Sequence, residues 1–188
     1  MIVQVNDLLK INLTDKTIAF QTDTVYGVGT QLNSKKGVQK IYELKRREAS
    51  KPLPVLCPSI EVAMTLVKDP KKLKKFAERY WPGAVTLVIK KSDLVPNYVT
   101  KNADTVGLRI PNDPLALMIL NHVGPMAVTS LNYSSEPAIL NYSDAVKFEP
   151  YVDILVEGSD LSSVSSTVYD IENKKVLRQG KTIIKDLK

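Results

Sequence analysis

The chain has 188 residues, of which 44% are hydrophobic and 24% charged, a composition typical of an ordinary globular protein. The chain has a single cysteine, which excludes an internal disulfide. It also has only one histidine, which argues against a Cys/His zinc site, so we expect no resident metal. The net charge of +6 favours acidic partners such as nucleotides, phosphate or RNA. Because the sequence shows neither a signal-peptide pattern nor an apolar run of transmembrane length, we expect a cytoplasmic protein that does not enter membranes.

Short apolar runs alternate with helical patterns along the first half of the chain. Residues 17–20 predict a buried strand, and the polar stretch QTDTVYGVGT after it predicts a turn. A helix is predicted from the capping residue Ser34 to Lys45, with one apolar face. The other elements predicted in this half are a strand at residues 53–57, a short helix at 59–67 and a helix at 70–81.

The second half of the chain shows the same alternation of short apolar runs and helical patterns. Strands are predicted at residues 84–90, 104–111, 125–130, 152–158, 165–171 and 174–179, with an apolar helix at 114–123. Some connections are short enough for hairpins, so parallel and antiparallel pairs should coexist. The sequence therefore predicts one α/β domain over residues 1–188, built on a mixed sheet with helices on its faces.

Two groups of cations allow two interpretations each. Lys45, Arg46, Arg47 and Lys51 crowd the end of the predicted helix, where they could form a solvated turn or hold an anion. The lysines between positions 71 and 75 could be the solvated face of a helix or a contact to RNA.

Polar side chains cluster at the ends of the predicted strands. In open α/β sheets, ligands bind outside strand ends, where loops present side chains and free backbone N–H groups. Arginine suits phosphate or carboxylate, because its planar fork donates two parallel hydrogen bonds. Together with the first cation group, these strand ends suggest a pocket for a ligand that carries both kinds of anion: Thr22, Asp23, Thr24, Arg109, Ser130, Asn132, Ser165, Ser166, Thr167 and Arg178.

Seven segments of the chain resemble the motifs of the YrdC-like family, in the family's order. They are QTDTVYGVG, LKRREASKPLP, WPGAVTLV, TVGLRIPNDP, TSLNYSSEPA, SSTVYD and VLRQG, and they extend over residues 22–180. The length is similar to that of the single-domain bacterial members. This resemblance implies a twisted mixed α/β sheet with flanking helices and a basic concave face.

The resemblance also implies an activity, that of an L-threonylcarbamoyladenylate synthase. Such a nucleotidyltransferase combines L-threonine, bicarbonate and ATP into threonylcarbamoyl-AMP and pyrophosphate, and Mg²⁺ is expected to accompany the ATP. Other proteins then transfer the threonylcarbamoyl group to tRNA, so these transfer proteins and RNA are expected partners.

Site residues follow from matching the family's motifs to this sequence. The family's Lys-Arg-Ser-Asn set, taken as catalytic, maps onto Lys45, Arg47, Ser130 and Asn132. The same four residues, with Thr105 and Arg178, are expected to bind the nucleotide. Threonine is expected to contact Thr22, Arg109 and Ser166. Lys45 and Arg47 are thus interpreted as holding the triphosphate, and we expect alanine at either position to abolish product formation while leaving the fold intact.

Eight positions depart from the family pattern, namely Gln21, Glu48, Pro54, Leu56, Thr129, Leu131, Ser135 and Gln179. Gln21 and Gln179 stand where proline is usual, and Gln21 is expected to change only the stiffness of its turn. Glu48 also replaces a proline and puts an acid beside the expected phosphate site. Leu56 stands where relatives often have histidine, and Ser135 replaces a glycine. These differences bear on affinity and substrate choice more than on reaction class.

Two other functions are compatible with the sequence. A non-catalytic module that binds tRNA or double-stranded RNA would use the basic face, and its affinity would depend strongly on salt. A related carbamoyl-transfer domain ranks last, because the proteins that contain it are longer and carry zinc-binding cysteines.

Overall fold

The computed structural model of the chain describes residues 1–46, 48 and 50–185, and Arg47 lies outside them. The strands are β1 (Ile2–Val3), β2 (Ile18–Phe20), β3 (Gly27–Gln31), β4 (Val55–Leu56), β5 (Val85–Lys90), β6 (Thr105–Arg109), β7 (Met126–Ser130), β8 (Ile154–Val156), β9 (Thr167–Asp170) and β10 (Lys175–Arg178). The helices are α1 (Val5–Leu8), α2 (Lys35–Lys45), α3 (Ile60–Thr65), α4 (Pro70–Tyr80), α5 (Asn97–Thr100), α6 (Pro114–Val123) and α7 (Tyr142–Val146), and a 3₁₀ turn follows at Glu149–Tyr151.

Within these residues the ten strands form one sheet, in the order β1-β8-β2-β3-β7-β4-β6-β5-β9-β10. Four neighbouring pairs are parallel, namely β1 with β8, β2 with β8, β4 with β6, and β5 with β9. The other five pairs are antiparallel. The predicted mixed α/β sheet is therefore confirmed. That the whole of residues 1–188 forms a single domain stays a prediction, as does the basic concave face.

The three long helices begin where the sequence predicted them, because each has a side-chain cap. Ser34 Oγ accepts a hydrogen bond from the Gly37 N–H at 2.9 Å and starts α2. Asp69 caps α4, and Asp113 caps α6, each followed by a proline at the first helical position. Among the described helices, none is both long and apolar enough to cross a bilayer.

The prediction of a turn through the whole of QTDTVYGVGT is wrong for its second half, which forms β3. The two glycines of this strand weaken the sequence signal for a strand, since glycine is unfavourable there. They are needed for packing against β7. A Cβ at Gly29 would lie 2.7 Å from Cγ2 of Val128, and one at Gly27 would lie 3.1 Å from its Cγ1.

The sheet buries a separate apolar cluster on each face. Helices α2 and α4 pack on one face through residues such as Ile41 and Leu73. On the other face, α1 and α6 pack through Leu8 and Ile119 against a cluster that includes Leu56 and Val128. Leu56 and Val128 also line a cavity. The cavity therefore lies on the second face, next to the part that α6 covers.

Candidate active site

A cavity of about 420 Å³ opens on this face of the sheet, and eight of the predicted site residues line it: Thr22, Thr24, Thr105, Arg109, Ser130, Ser165, Ser166 and Arg178. Its floor includes Gly27 and Gly107, and its apolar wall includes Leu53, Leu56 and Val128. Leu56, which stands where relatives often carry histidine, thus adds to the apolar wall. Residues far apart in the sequence meet here because β3, β4, β5, β6, β7 and β9 adjoin in the sheet.

Arg109 forms the first polar group of the cavity. Its side chain is almost fully buried and pairs with Asp23, while Nη1 donates to Thr24 Oγ1 and Nε donates to the carbonyl oxygen of Gly83, both at 2.9 Å. Burial lowers the pKa of Arg109, and the attraction of Asp23 opposes only part of that effect. An arginine nevertheless stays charged at neutral pH. These contacts fix the guanidinium on the cavity wall.

Thr22 supports the turn that carries Asp23. Its Oγ1 accepts from the backbone N–H groups of Thr24 and Val25 at 3.2 and 3.3 Å, and it also donates to the carbonyl oxygen of Val25 at 2.8 Å. Although Thr22 lines the cavity, its hydroxyl is engaged within its own turn. Its contact with threonine stays a prediction.

Arg178 forms the second polar group, together with Ser166 and Thr86. Its Nε donates to the carbonyl oxygen of Ser166 at 3.0 Å, and its Nη2 donates to Ser166 Oγ at 3.1 Å. Ser166 Oγ also lies 2.8 Å from Thr86 Oγ1. Burial lowers the pKa of Arg178, and among the described residues no carboxylate lies within ion-pair distance of it. This arginine is therefore free to neutralise a bound anion.

Thr86 was missed as a site residue by the sequence reasoning. The available signal was its place in the WPGAVTLV motif, where it is a hydroxyl residue among apolar ones. A threonine in a strand fits a half-buried surface equally well, so the motif alone did not distinguish the two roles.

The structure brings Lys45, Ser130 and Asn132 together, as the motif mapping predicted. Lys45 Nζ donates to the carbonyl oxygens of Ser130 and Asn132 at 2.6 and 2.8 Å, and to Asn132 Oδ1 at 2.8 Å. Ser130 Oγ donates to the same Oδ1 at 2.6 Å. Lys45 is only 1% exposed, and neither it nor Asn132 lines the cavity. In this arrangement Lys45 holds the turn that carries Ser130, and its contact with phosphate stays a prediction.

Gln21 does more than change the stiffness of its turn, so that expectation is wrong. Its Nε2 donates to Asp113 Oδ2 at 2.9 Å, and its Oε1 accepts from the Ser159 N–H at 2.8 Å. The side chain thus ties the start of α6 to the loop that leads to Ser166. A proline could make neither bond.

Three other departures have local consequences. Ser135 adopts φ +72°, a conformation that favours glycine. Glu48 pairs with Lys51 at 3.0 Å, which offsets part of the charge that it brings to this segment. Gln179 Nε2 donates to the carbonyl oxygens of Gly180 and Thr182, at 2.8 and 3.0 Å, and stabilises the segment after β10.

Comparison with known proteins shows the family of the chain. The Sua5/YciO/YrdC family model, which carries the description "Telomere recombination", matches residues 10–180. The chain belongs to the Sua5/YciO/YrdC family. It is 35% identical over 160 residues to the threonylcarbamoyl-AMP synthase of Pyrococcus abyssi, covering 83% of this chain and 47% of that protein. With the Bacillus subtilis threonylcarbamoyl-AMP synthase it shares 39% identity over 140 residues, covering 73% of this chain and 40% of that one.

The fold of this family member matches a solved structure closely. The crystal structure of P. abyssi Sua5 complexed with L-threonine superposes with a TM-score of 0.89 at 30% identity, over 96% of this chain and 57% of that one. This chain thus spans less than half the length of the two synthases it matches and about three fifths of the solved Sua5.

Proposed function

We propose that this chain is a threonylcarbamoyl-AMP synthase, which uses L-threonine, bicarbonate and ATP and releases pyrophosphate. The observation that carries the proposal is one cavity with two fixed guanidinium groups, Arg109 and Arg178, in a chain of this family. Two relatives carry the name of this enzyme, and a structural neighbour was solved with L-threonine. A site that must hold an amino-acid carboxylate and a nucleotide phosphate needs two such cations.

The chemistry requires charge neutralisation more than a nucleophilic side chain. The amine of threonine attacks the carbon of bicarbonate, water leaves, and a carbamate forms. A carbamate oxygen then attacks the α-phosphorus of ATP, and the bond from that phosphorus to the oxygen bridging to the β-phosphate breaks, which releases pyrophosphate. Attacker and target are both anionic, so fixed cations and oriented donors lower the barrier.

Five of the lining residues have a place in this scheme. Arg109 binds the carboxylate of threonine, and Ser166 contacts the same substrate. Arg178, Thr105 and Ser130 face the nucleotide. Because these five side chains lie in one cavity, the two substrates can bind next to each other.

Two other predicted residues act from outside the described cavity wall. Lys45 and Asn132 hold Ser130 in place, and the buried charge of Lys45 adds positive potential close to the phosphates. Arg47 is proposed to neutralise the departing pyrophosphate, as the motif mapping implies.

Mg²⁺ enters this scheme as the complex with ATP. None of the described residues that line the cavity is a carboxylate, so phosphate oxygens and water would be its main ligands. The product would pass to the proteins that transfer the threonylcarbamoyl group to tRNA, in the cytoplasm.

The alternative of a simple RNA-binding module gains no support from α4. Lys72 pairs with Glu172 at 2.7 Å, and Lys74 lies 3.6 Å from Glu78. These carboxylates neutralise two of the four lysines at positions 71–75, which reduces the charge available for phosphate contacts.

The test is pyrophosphate release from ATP in the presence of bicarbonate and Mg²⁺, with and without L-threonine. We expect threonine-dependent release together with the mass of threonylcarbamoyl-AMP. Arg178→Met should reduce the rate at least tenfold, whereas the control Arg79→Met on the exposed side of α4 should not. A folded wild-type protein that releases no pyrophosphate in response to threonine would contradict the proposal.

A further inference from the structure

Thr86 is a buried hydroxyl residue of the cavity that the proposed mechanism does not use. It lies on β5, where side chains alternate between the two faces of the sheet. Thr86 and Val88 line the cavity, while Leu87 and Ile89 are fully buried on the opposite face. The hydroxyl of Thr86 therefore belongs to the same face as the two arginines.

Thr86 sits between the two polar groups of the cavity. On one side, β5 pairs with β6 through Leu87 and Leu108, and Arg109 is the next residue of β6. On the other side, Thr86 itself pairs with Val168 of β9, the strand that begins directly after Ser166. Burial is the main cause of the lowered pKa of Arg109, and charge repulsion from Arg178 adds to it, which agrees with both guanidinium groups facing the same space.

The hydrogen bonds of Ser166 determine what Thr86 can do. Ser166 Oγ accepts from Arg178 Nη2 at 3.1 Å, and its carbonyl oxygen accepts from Arg178 Nε at 3.0 Å. A serine hydroxyl has two lone pairs and one hydrogen. If Thr86 donates the hydrogen bond that joins the two hydroxyls at 2.8 Å, both lone pairs of Ser166 are occupied and its hydrogen points to the cavity.

We propose that Thr86 is a positioning residue that donates to Ser166 Oγ, so that Ser166 donates its own hydrogen to the carboxylate of the amino-acid substrate that Arg109 binds. This inference rests on the proposed function for the identity of that substrate. Thr86 acts only through Ser166 and does not touch the ligand.

A double-mutant cycle of Thr86→Val and Ser166→Ala tests this inference. The measurement is the affinity for L-threonine by titration calorimetry without ATP, and the affinity for ATP without threonine. Thr86→Val should weaken L-threonine binding about fivefold, the effect of one hydrogen bond, and should leave ATP affinity within about twofold. In the Ser166→Ala background, Thr86→Val should have no further effect. With Ser166 present, Thr86→Ser keeps the donating hydroxyl and should bind L-threonine with wild-type affinity.

Thr100→Val provides the matched control. Thr100 Oγ1 is buried and has no hydrogen-bond partner among the described residues, and Thr100 does not line the cavity. The same change there should leave both affinities unaltered. A thermal melt of every variant shows whether the fold is intact.

The outcomes separate this inference from the proposed function. Additive effects in the cycle, an unchanged L-threonine affinity in Thr86→Val, or a loss confined to ATP would overturn the role of Thr86, even if the wild type forms threonylcarbamoyl-AMP. A wild type that binds L-threonine but forms no product would contradict the proposed function alone, since the cycle can still be measured. A wild type that binds no L-threonine would contradict both.

Discussion

The carboxylate of Asp23 and the guanidinium of Arg109 form a buried ion pair on the cavity wall, although 86 positions separate them in the sequence. Their side chains are 13% and 7% exposed. Removing one partner of such a pair leaves the other charge buried and uncompensated. We expect Asp23→Asn to lower the free energy of unfolding by about 3 kcal/mol, measured by urea denaturation at neutral pH.

An exposed pair of the same kind provides the control for Asp23→Asn. Asp7 and Lys10 are 2.9 Å apart but are 60% and 75% exposed, so Asp7→Asn should change stability by less than about 0.5 kcal/mol. Equal effects of the two substitutions would show that Asp23 contributes no more than a surface charge.

Lys45 is expected to matter for stability as well as for activity, which replaces the expectation that its loss leaves the fold intact. Lys45→Met fills a similar volume but removes the three hydrogen bonds to Ser130 and Asn132. Unpaired buried acceptors should lower the free energy of unfolding by about 2 kcal/mol. Urea denaturation measures this effect, with the exposed Lys71→Met as the control. Unchanged stability with lost activity would instead favour direct contact between Lys45 and phosphate.

Gly180 is expected to tolerate no side chain, because it packs against the backbone next to Ser166. A Cβ at this position would lie 2.6 Å from the backbone nitrogen of Thr167. Gly180→Ala should therefore displace Ser166, lower stability by about 2 kcal/mol and weaken the binding of L-threonine. Calorimetric titration and thermal melting measure the two effects, and the exposed neighbour Lys181→Ala serves as the control. Wild-type affinity in Gly180→Ala would show that the segment adjusts without moving Ser166.

Asp153 should contribute to stability at neutral pH and lose that contribution in acid. Burial raises the pKa of this carboxyl, but hydrogen bonds from Lys40 and Thr17 outweigh burial and hold the pKa below its ordinary value. A group with a depressed pKa stabilises the fold above its unfolded pKa, about 3.9 for aspartate, and less as the pH falls through the folded value. Asp153→Asn should thus be less stable than the wild type at pH 7.

The stability difference between wild type and Asp153→Asn should shrink as the pH falls below about 4. Urea denaturation at a series of pH values measures it, with the exposed Asp93→Asn as the control. A difference that stays constant with pH would show that the charge of Asp153 has no part in stability.

Local signals explain how much of this fold was predictable. Ser34 and Asp69 are good caps placed ahead of apolar periodicity, so α2 and α4 begin at the predicted residues. Strand β3 was missed because its stability depends on a strand nearly a hundred residues away, against which Gly27 and Gly29 pack. The intrinsic strand propensity of a residue cannot predict such a distant contact.

Contacts between distant residues also limited the prediction of the candidate site. Arg109 and Arg178 line one cavity, as their places at predicted strand ends suggested, because strand ends gather in an α/β sheet. Their contacts with ligands stay predictions. The motifs did not predict that Lys45 is buried, since lysine is almost never fully buried without partners. Its described partners include the backbone carbonyl groups of Ser130 and Asn132, and no sequence pattern marks a backbone acceptor.

The sheet order has a consequence for the newly made polypeptide. Arg109 is synthesised together with its neighbours on β6, but β9 and β10, which complete the cavity with Ser166 and Arg178, come more than fifty residues later. At translation rates of about 5–20 residues per second, an emerging chain therefore spends several seconds with only one of its two guanidinium groups. Ser166 and Arg178 enter the cavity only with these last strands, so a ligand that contacts either of them can stabilise only the finished sheet.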